Sequence, residues 1–126
     1  MLIKILFVGL GGFVGASLRY ATGTVVGRFA AESSFPYGTF VVNIVGCLLI
    51  GFLAGVVEAR GLGSDAARAF VFTGLLGAFT TFSTFSYETV GLFQGGQTSP
   101  ALTNLGLQIA LGLIAVWSGI QMAKFV

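Results

Sequence analysis

Residues 77 to 88 read Gly-Ala-Phe-Thr-Thr-Phe-Ser-Thr-Phe-Ser-Tyr-Glu, which places aromatic rings and hydroxyl side chains together in one short stretch. Residues three or four apart share a face of a helix, so the phenylalanines at positions 79, 82 and 85 form a ladder of rings. Gly77, Thr81, Thr84 and Glu88 form a second stripe by the same spacing. Because the surrounding segment is apolar enough to cross a bilayer, rings and hydroxyls are predicted to run side by side through a membrane.

The composition of the chain is that of an integral membrane protein. Of its 126 residues, 56% are hydrophobic and 8% are charged, and the mean hydropathy is +0.99. Soluble domains carry about 25% charged residues. The length fits a single domain, residues 1–126. The net charge of +2 is too small for a nucleic-acid-binding surface.

The inventory of reactive side chains argues against an enzyme. Histidine is absent and Cys47 is the only cysteine, which excludes an internal disulfide and a His/Cys metal cluster. No nucleophile is paired with a base. The N-terminal apolar run is interpreted as a first span, because no small-residue cleavage site and polar mature chain follow it.

Four apolar stretches are each long enough to cross about 30 Å of hydrocarbon. They cover about residues 2–26, 38–57, 69–93 and 101–123, and short polar loops join them. Four crossings place both termini on one side of the membrane. No internal repeat is present, so any symmetry must come from a second copy of the chain.

The third span is predicted to break between Gly77 and Thr80. Gly74 and Gly77 precede a run of β-branched threonines, whose helix propensity is poor. Irregular backbone at membrane depth persists only where protein or a polar cavity covers it, and freed carbonyls there can bind a cation.

Two polar side chains within the spans are candidate functional groups. Arg19 either extends from the end of the first span to lipid phosphates or provides a fixed positive charge that attracts anions. Asn43 either joins helices through a hydrogen bond or lines a pore, where its two amide hydrogens suit an anion.

The aromatic ladder and the acidic residue after it also have two interpretations each. Phe82 and Phe85 belong either to the apolar core or to an anion site, since the rim of an aromatic ring is electropositive. Glu88 is either a proton carrier or a residue at the membrane boundary, with Arg68 and Lys124 as possible partners.

Three motifs resemble the signatures of the Fluc fluoride channels, also called the CrcB family. They are Gly-Ala-Ser-Leu-Arg-Tyr at 15–20, Gly-Thr-Phe-Val-Val-Asn-Ile-Val-Gly at 38–46, and Thr-Gly-Leu-Leu-Gly-Ala-Phe-Thr-Thr-Phe-Ser-Thr-Phe-Ser-Tyr-Glu at 73–88. The resemblance covers nearly the whole chain in length, number of spans and order of motifs.

This resemblance implies an antiparallel, dual-topology homodimer of four-span subunits, with two fluoride pathways and a structural sodium ion at the dimer centre. By position, Phe82 and Phe85 would be the ring-edge ligands of the pore, Asn43 the amide donor and Arg19 the vestibule cation. The hydroxyls of the ion pathway would come from Thr39, Ser83 and Thr84. The carbonyls of Gly77 and Thr80 would hold sodium.

The chain departs from the family pattern in two respects. The fourth span has Asn104, Gln108 and Gly112 where a tyrosine and serines often line the pathway, although the two amides could substitute as donors. Lysine and arginine are also unevenly distributed. Lys4, Arg60, Arg68 and Lys124 fall on one side of the membrane, and Arg28 is alone on the other side. This imbalance predicts a preferred orientation with both termini in the cytoplasm.

The function predicted from these observations is a passive, fluoride-selective channel in the bacterial cell inner membrane, spanning it several times and exporting fluoride. The alternative is a small four-span exporter that couples transport to protons through Glu88. Such exporters usually place their working acid in the first span, where this chain has Arg19.

Overall fold

A computed structural model describes residues 1–126, and all of the regular secondary structure is helical. Four helices are long and apolar enough to cross a membrane: Leu2–Phe29, Tyr37–Arg60, Asp65–Gln94 and Thr98–Ala123. The prediction of an all-α membrane fold with four spans and an interrupted third span is confirmed. The first, second and fourth spans are continuous helices, here α1 (Leu2–Phe29), α2 (Tyr37–Arg60) and α6 (Thr98–Ala123).

The third span consists of several pieces. It begins with a short helix α3 (Asp65–Arg68), continues as a π-helix over Ala69–Leu76, and ends its first half in α4 (Gly77–Phe79). The second half is α5 (Phe82–Gln94). The π-helix and the break therefore follow each other in one span. π-Helical turns are rare and are frequently found at functional sites.

The four spans pack mainly in two pairs, α1 with the first half of the third span and α2 with α6. Each pair meets through glycine. A side chain at Gly15 would clash with the carbonyl of Leu75, and one at Gly51 would clash with the carbonyl of Val116. Gly11 and Gly15, four residues apart and therefore on one face of the helix, are the buried residues of α1. Small residues let two backbones approach where lipid offers no hydrophobic driving force.

The break in the third span lies at Thr80 and Thr81, whose backbones are extended at φ −83°, ψ 160° and φ −153°, ψ 112°. Thr81 then caps α5, because its hydroxyl oxygen accepts a hydrogen bond from the Thr84 N–H at 3.2 Å. The break therefore falls at the end of the predicted interval, and Gly77 itself keeps helical backbone angles, φ −62° and ψ −36°.

Much of the apolar surface of a single chain is uncovered. Only 17 of the 126 residues are buried, and those that are cluster where the spans cross and around the break. At the break itself Thr81 is 9% exposed and Phe82 is 79% exposed, so the subunit covers one side of the irregular backbone and leaves the other side open.

Candidate functional site: the break in the third span and its two cavities

Asn43 of α2 binds the backbone at the break. Its Oδ1 accepts a hydrogen bond from the Thr81 N–H at 2.8 Å, and its Nδ2 donates to the Thr81 carbonyl at 3.1 Å. The second Nδ2 hydrogen is donated to Oε1 of Gln108 on α6 at 3.0 Å. The Asn43 side chain therefore replaces the helical acceptor of the Thr81 N–H and adds a donor to the Thr81 carbonyl, and both of its amide hydrogens are in use.

The break leaves the carbonyls of Gly77 and Thr80 without their usual helical donors. In a continuous helix the Thr81 N–H would bond the carbonyl of Gly77, but here it bonds Asn43. The Thr84 N–H would likewise bond the carbonyl of Thr80, but here it bonds the Thr81 hydroxyl. Gly77 and Thr80 thus lose their usual helical donors, and both line the same cavity.

The N-terminus of α5 also lies at the break. The first N–H groups of a helix have no partner within it and carry the positive end of the helix dipole, which favours an anion. Because α5 begins at Phe82, deep in the third span, this positive end is directed at the middle of the subunit rather than at solvent.

Two cavities lie on either side of Thr81, which lines both of them. The outer cavity, of about 650 Å³, is lined by Arg19, Thr39, Thr84 and Glu88 among others. The inner cavity, of about 340 Å³, is smaller and more apolar, and its lining includes the following residues predicted to be functional: Asn43, Gly77, Thr80, Phe82, Phe85 and Gln108. Most of the predicted site residues are therefore gathered around one point of the fold.

The two rings of the inner cavity differ in burial. Phe85 is 6% exposed and Phe82 is 79% exposed, and their centroids are 5.6 Å apart with the planes inclined at 56°. Phe85 is held between α5 and the rest of the subunit, whereas Phe82 projects from the surface of the single chain. The pair thus connects the inner cavity with the outer surface at the level of the break.

Glu88 lies in the outer cavity and interacts with a hydroxyl group. Its Oε1 accepts a hydrogen bond from Thr39 Oγ1 at 2.8 Å, and its Oε2 is buried without a partner. The expected partners Arg68 and Lys124 do not form an ion pair with it, since the only salt bridge joins Lys4 to Asp65 at 2.7 Å. The carboxylate and the half-buried Arg19 share this cavity without pairing.

Ser83 is the predicted residue that stands apart. Its side chain is exposed, its Oγ lies 3.3 Å from Thr81 Oγ1, and it is not among the residues that line either cavity. Thr81 was predicted only to share a stripe with Thr84. In the structure it caps α5, lines both cavities and is hydrogen-bonded to Asn43.

The amides of the fourth span form part of a buried polar network. Asn104 is fully buried and donates to Thr89 Oγ1 at 2.9 Å, and Thr89 donates to the Phe85 carbonyl at 2.7 Å. Gln108 lines the inner cavity and reaches Asn104 only at 3.5 Å. The spacing of Asn104 and Gln108 by one helical turn was the available sequence signal, whereas their partners on other spans were not predictable from it.

A metal ion could be held here only by oxygen atoms of the backbone, hydroxyls and amides. No group of three or more His, Cys, Asp or Glu side chains is placed to bind one. The freed carbonyls of Gly77 and Thr80 suit a hard, singly charged cation such as sodium, which broken membrane helices bind in this way.

The fold and the site are those of a small ion-conducting membrane protein: four spans, a helix broken at membrane depth, and cavities lined by hydroxyls, amides and aromatic rings. The chain belongs to the CrcB family, whose model, described as "CrcB-like protein, Camphor Resistance (CrcB)", matches residues 6–120.

Three bacterial relatives named "Fluoride-specific ion channel FluC" are similar over nearly their whole length. That of Flavobacterium psychrophilum is 43% identical over 120 residues, covering 95% of this chain and 96% of the relative. That of Nitratidesulfovibrio vulgaris is 44% identical over 123 residues, covering 98% of each. That of Acidobacterium capsulatum is 45% identical over 122 residues, covering 97% of each.

Proposed function

We propose that this protein is a fluoride-selective channel through which fluoride leaves the bacterial cytoplasm passively across the inner membrane. The observation that carries the proposal is the inner cavity, where amide groups and two aromatic rings meet at a helix break in a chain similar to proteins named fluoride-specific ion channels. No side chain that lines that cavity carries a formal charge, which suits conduction because a bound ion must also be able to leave.

The chemistry of fluoride explains why such a cavity would be needed. The ion is small and strongly hydrated, so each water lost on entry must be replaced by a donor or an electropositive ring rim at close range. Arg19 in the outer cavity concentrates anions near the entrance. Thr39 and Thr84 line the approach, and Asn43, Phe82 and Phe85 line the narrower part beyond Thr81.

The proposal includes an antiparallel homodimer with dual topology. Its support is the exposure of Phe82 and Gly77 on a single chain, because a ring and a backbone segment that serve an ion pathway must be screened from lipid. A second copy that covered this face would complete the walls around both rings. Cross-linking of exposed positions on the Phe82 face, in membranes and at low protein density, tests this arrangement.

A sodium ion would be held by the carbonyls of Gly77 and Thr80. These carbonyls have lost their helical donors, so their orientation suits a cation, but one subunit supplies too few ligands to enclose it. The equivalent carbonyls of an antiparallel partner would double the set. The ion would then supply positive charge that stabilises two facing helix breaks.

The proton-coupled exporter remains the second candidate because of one observation, the buried and unpartnered Oε2 of Glu88 in the outer cavity. A carboxylate that takes up a proton during transport would be placed in this way. The two functions differ in their driving force, since a passive channel follows the fluoride gradient alone and an exporter also follows the proton gradient.

Purified protein in liposomes tests the proposal. Fluoride-loaded liposomes diluted into fluoride-free medium should release fluoride at once, with no imposed pH gradient, while chloride-loaded liposomes should release no more than protein-free ones. Chloride release at rates near those of fluoride, or fluoride release only with a pH gradient, would reject it.

A further inference from the structure

The Asn43 amide of the inner cavity has no hydrogen free to offer an anion as the structure stands. One Nδ2 hydrogen goes to the Thr81 carbonyl and the other to Oε1 of Gln108. An amide nitrogen has only two hydrogens to donate. An anion that binds Asn43 must therefore displace one of these two acceptors.

The orientation of the Asn43 amide is fixed by the backbone. The Thr81 N–H can only donate, so the atom that faces it at 2.8 Å must be Oδ1. Nδ2 then faces both the Thr81 carbonyl and Gln108, and the Gln108 atom it meets must be the acceptor Oε1. The Asn43 to Gln108 hydrogen bond thus has one direction only.

Of the two acceptors, Gln108 is the one that can leave. The Thr81 carbonyl belongs to the main chain of a span and is held by the reciprocal bond from its own N–H to Asn43. Gln108 has a flexible side chain that lines the inner cavity, and its far side reaches Asn104 at only 3.5 Å. A hydrogen bond of that length and type holds the side chain weakly.

We infer that Gln108 is a positioning residue that occupies the anion-binding hydrogen of Asn43 and must be displaced when fluoride enters the inner cavity. Gln108 Oε1 satisfies the amide while the cavity is empty, so no buried donor is left without a partner. The inference rests on the proposed function, since it concerns how the same site takes its ion.

The exchange sets how tightly the cavity holds fluoride. Without the Gln108 acceptor, Asn43 would keep an unsatisfied donor in the empty cavity, and an entering ion would no longer have to break a hydrogen bond. Gln108→Met preserves the length of the side chain and removes the acceptor. It should lower the fluoride concentration at half-maximal efflux by about two- to tenfold, the factor corresponding to the net value of one hydrogen bond.

Thr89→Val is a matched control on the neighbouring buried pair. It also removes an acceptor from a buried amide, Nδ2 of Asn104, but one that does not line the inner cavity. It should lower thermal stability as much as Gln108→Met and leave half-saturation unchanged. An equal effect of both variants on half-saturation would overturn the inference, because it would indicate general loosening of the fold.

A direct test uses the fact that Asn43 and Asn104 are the only two asparagines of the chain. Selective ¹⁵N-asparagine labelling of the wild-type protein gives two pairs of side-chain amide resonances, one from Asn43 and one from Asn104. Sodium fluoride, titrated against sodium chloride as the control salt, should shift one of the two Asn43 side-chain hydrogens more than either hydrogen of Asn104, whose oxygen loses only a long contact of 3.5 Å with Gln108. This test requires no substitution, so it holds even if Gln108→Met does not fold.

The outcomes separate the inference from the proposed function. If wild-type protein releases no fluoride in liposomes, the proposed function fails and the inference with it. If wild type conducts fluoride but the Asn43 side-chain resonances do not respond to the ion, or Gln108→Met raises or keeps the half-saturating concentration, the inference alone is overturned.

Discussion

Asn43 and Thr81 are joined by a reciprocal pair of hydrogen bonds, in which the side-chain amide of one span takes the place of a main-chain acceptor in another. The residues are 38 positions apart in the chain. This pairing makes a helix break stable at membrane depth, where an unsatisfied backbone group costs several kcal/mol. By taking the Thr81 N–H it also releases the Gly77 carbonyl, one of the two carbonyls that could hold a cation.

Asn43→Asp should weaken this pairing. The aspartate keeps an oxygen for the Thr81 N–H but places a second oxygen against the Thr81 carbonyl and Gln108 Oε1, two acceptors that lose their donor. We expect a loss of about 1–3 kcal/mol in stability and a strong reduction of fluoride efflux per folded protein. Thermal unfolding in detergent and liposome efflux measure the two effects, and wild-type efflux from this variant would contradict the role given to Asn43.

The glycine contacts between spans predict a difference between two identical substitutions in α1. A Cβ at Gly15 would clash with the Leu75 carbonyl, whereas one at Gly9 would meet nothing within 4 Å. Gly15→Ala should destabilise the protein by about 1–3 kcal/mol, as overpacking does, and Gly9→Ala should be neutral. Apparent melting temperatures in detergent compare the two variants. Equal effects would contradict the packing of α1 against the first half of the third span at Gly15.

How far the sequence predicts this molecule depends on which interactions are local. Hydropathy identifies all four spans because each helix must itself be long and apolar enough to cross the bilayer. Poor helix propensity at Thr80 and Thr81 indicates the break. The hydrogen bonds of Asn43 with Thr81 and with Gln108 join residues from three spans. No local pattern indicates which polar groups meet across spans, so these contacts could not be predicted from the sequence.

The site residues divide in the same way. Arg19 was predicted from a charged residue in an apolar span, Thr39 was implied by the family resemblance, and both line the outer cavity. Arg68 and Lys124 were considered as partners of Glu88 on the basis of charge alone, and the structure gives Thr39 instead. Position within a span, rather than charge, determined which side chain Glu88 could reach.

Arg19→Gln should slow fluoride efflux at low ionic strength. Its positive charge in the outer cavity raises the local concentration of anions, and salt screens this attraction over about 10 Å at 0.1 M. The difference from wild type should shrink as an impermeant salt is added. Arg28→Gln is the control, because Arg28 does not line that cavity. A deficit that does not depend on ionic strength would contradict the electrostatic role.

Glu88→Gln should preserve passive fluoride efflux. The amide oxygen of glutamine can still accept the hydrogen bond from Thr39 Oγ1, so the wall of the outer cavity is retained. Efflux should be within about threefold of wild type, less than the contribution of one full hydrogen bond, with and without an imposed pH gradient. Complete loss of flux, together with dependence on the pH gradient in wild type, would favour the proton-coupled exporter.

The most direct test of the central claim compares Phe82→Ile with Phe13→Ile in fluoride-loaded liposomes. Both rings are mostly exposed on the single chain, 79% and 75%, but only Phe82 lines the inner cavity. If ring rims replace the hydration of fluoride, Phe82→Ile should largely abolish efflux and Phe13→Ile should conduct as wild type does. Unchanged efflux from folded Phe82→Ile protein would contradict the account.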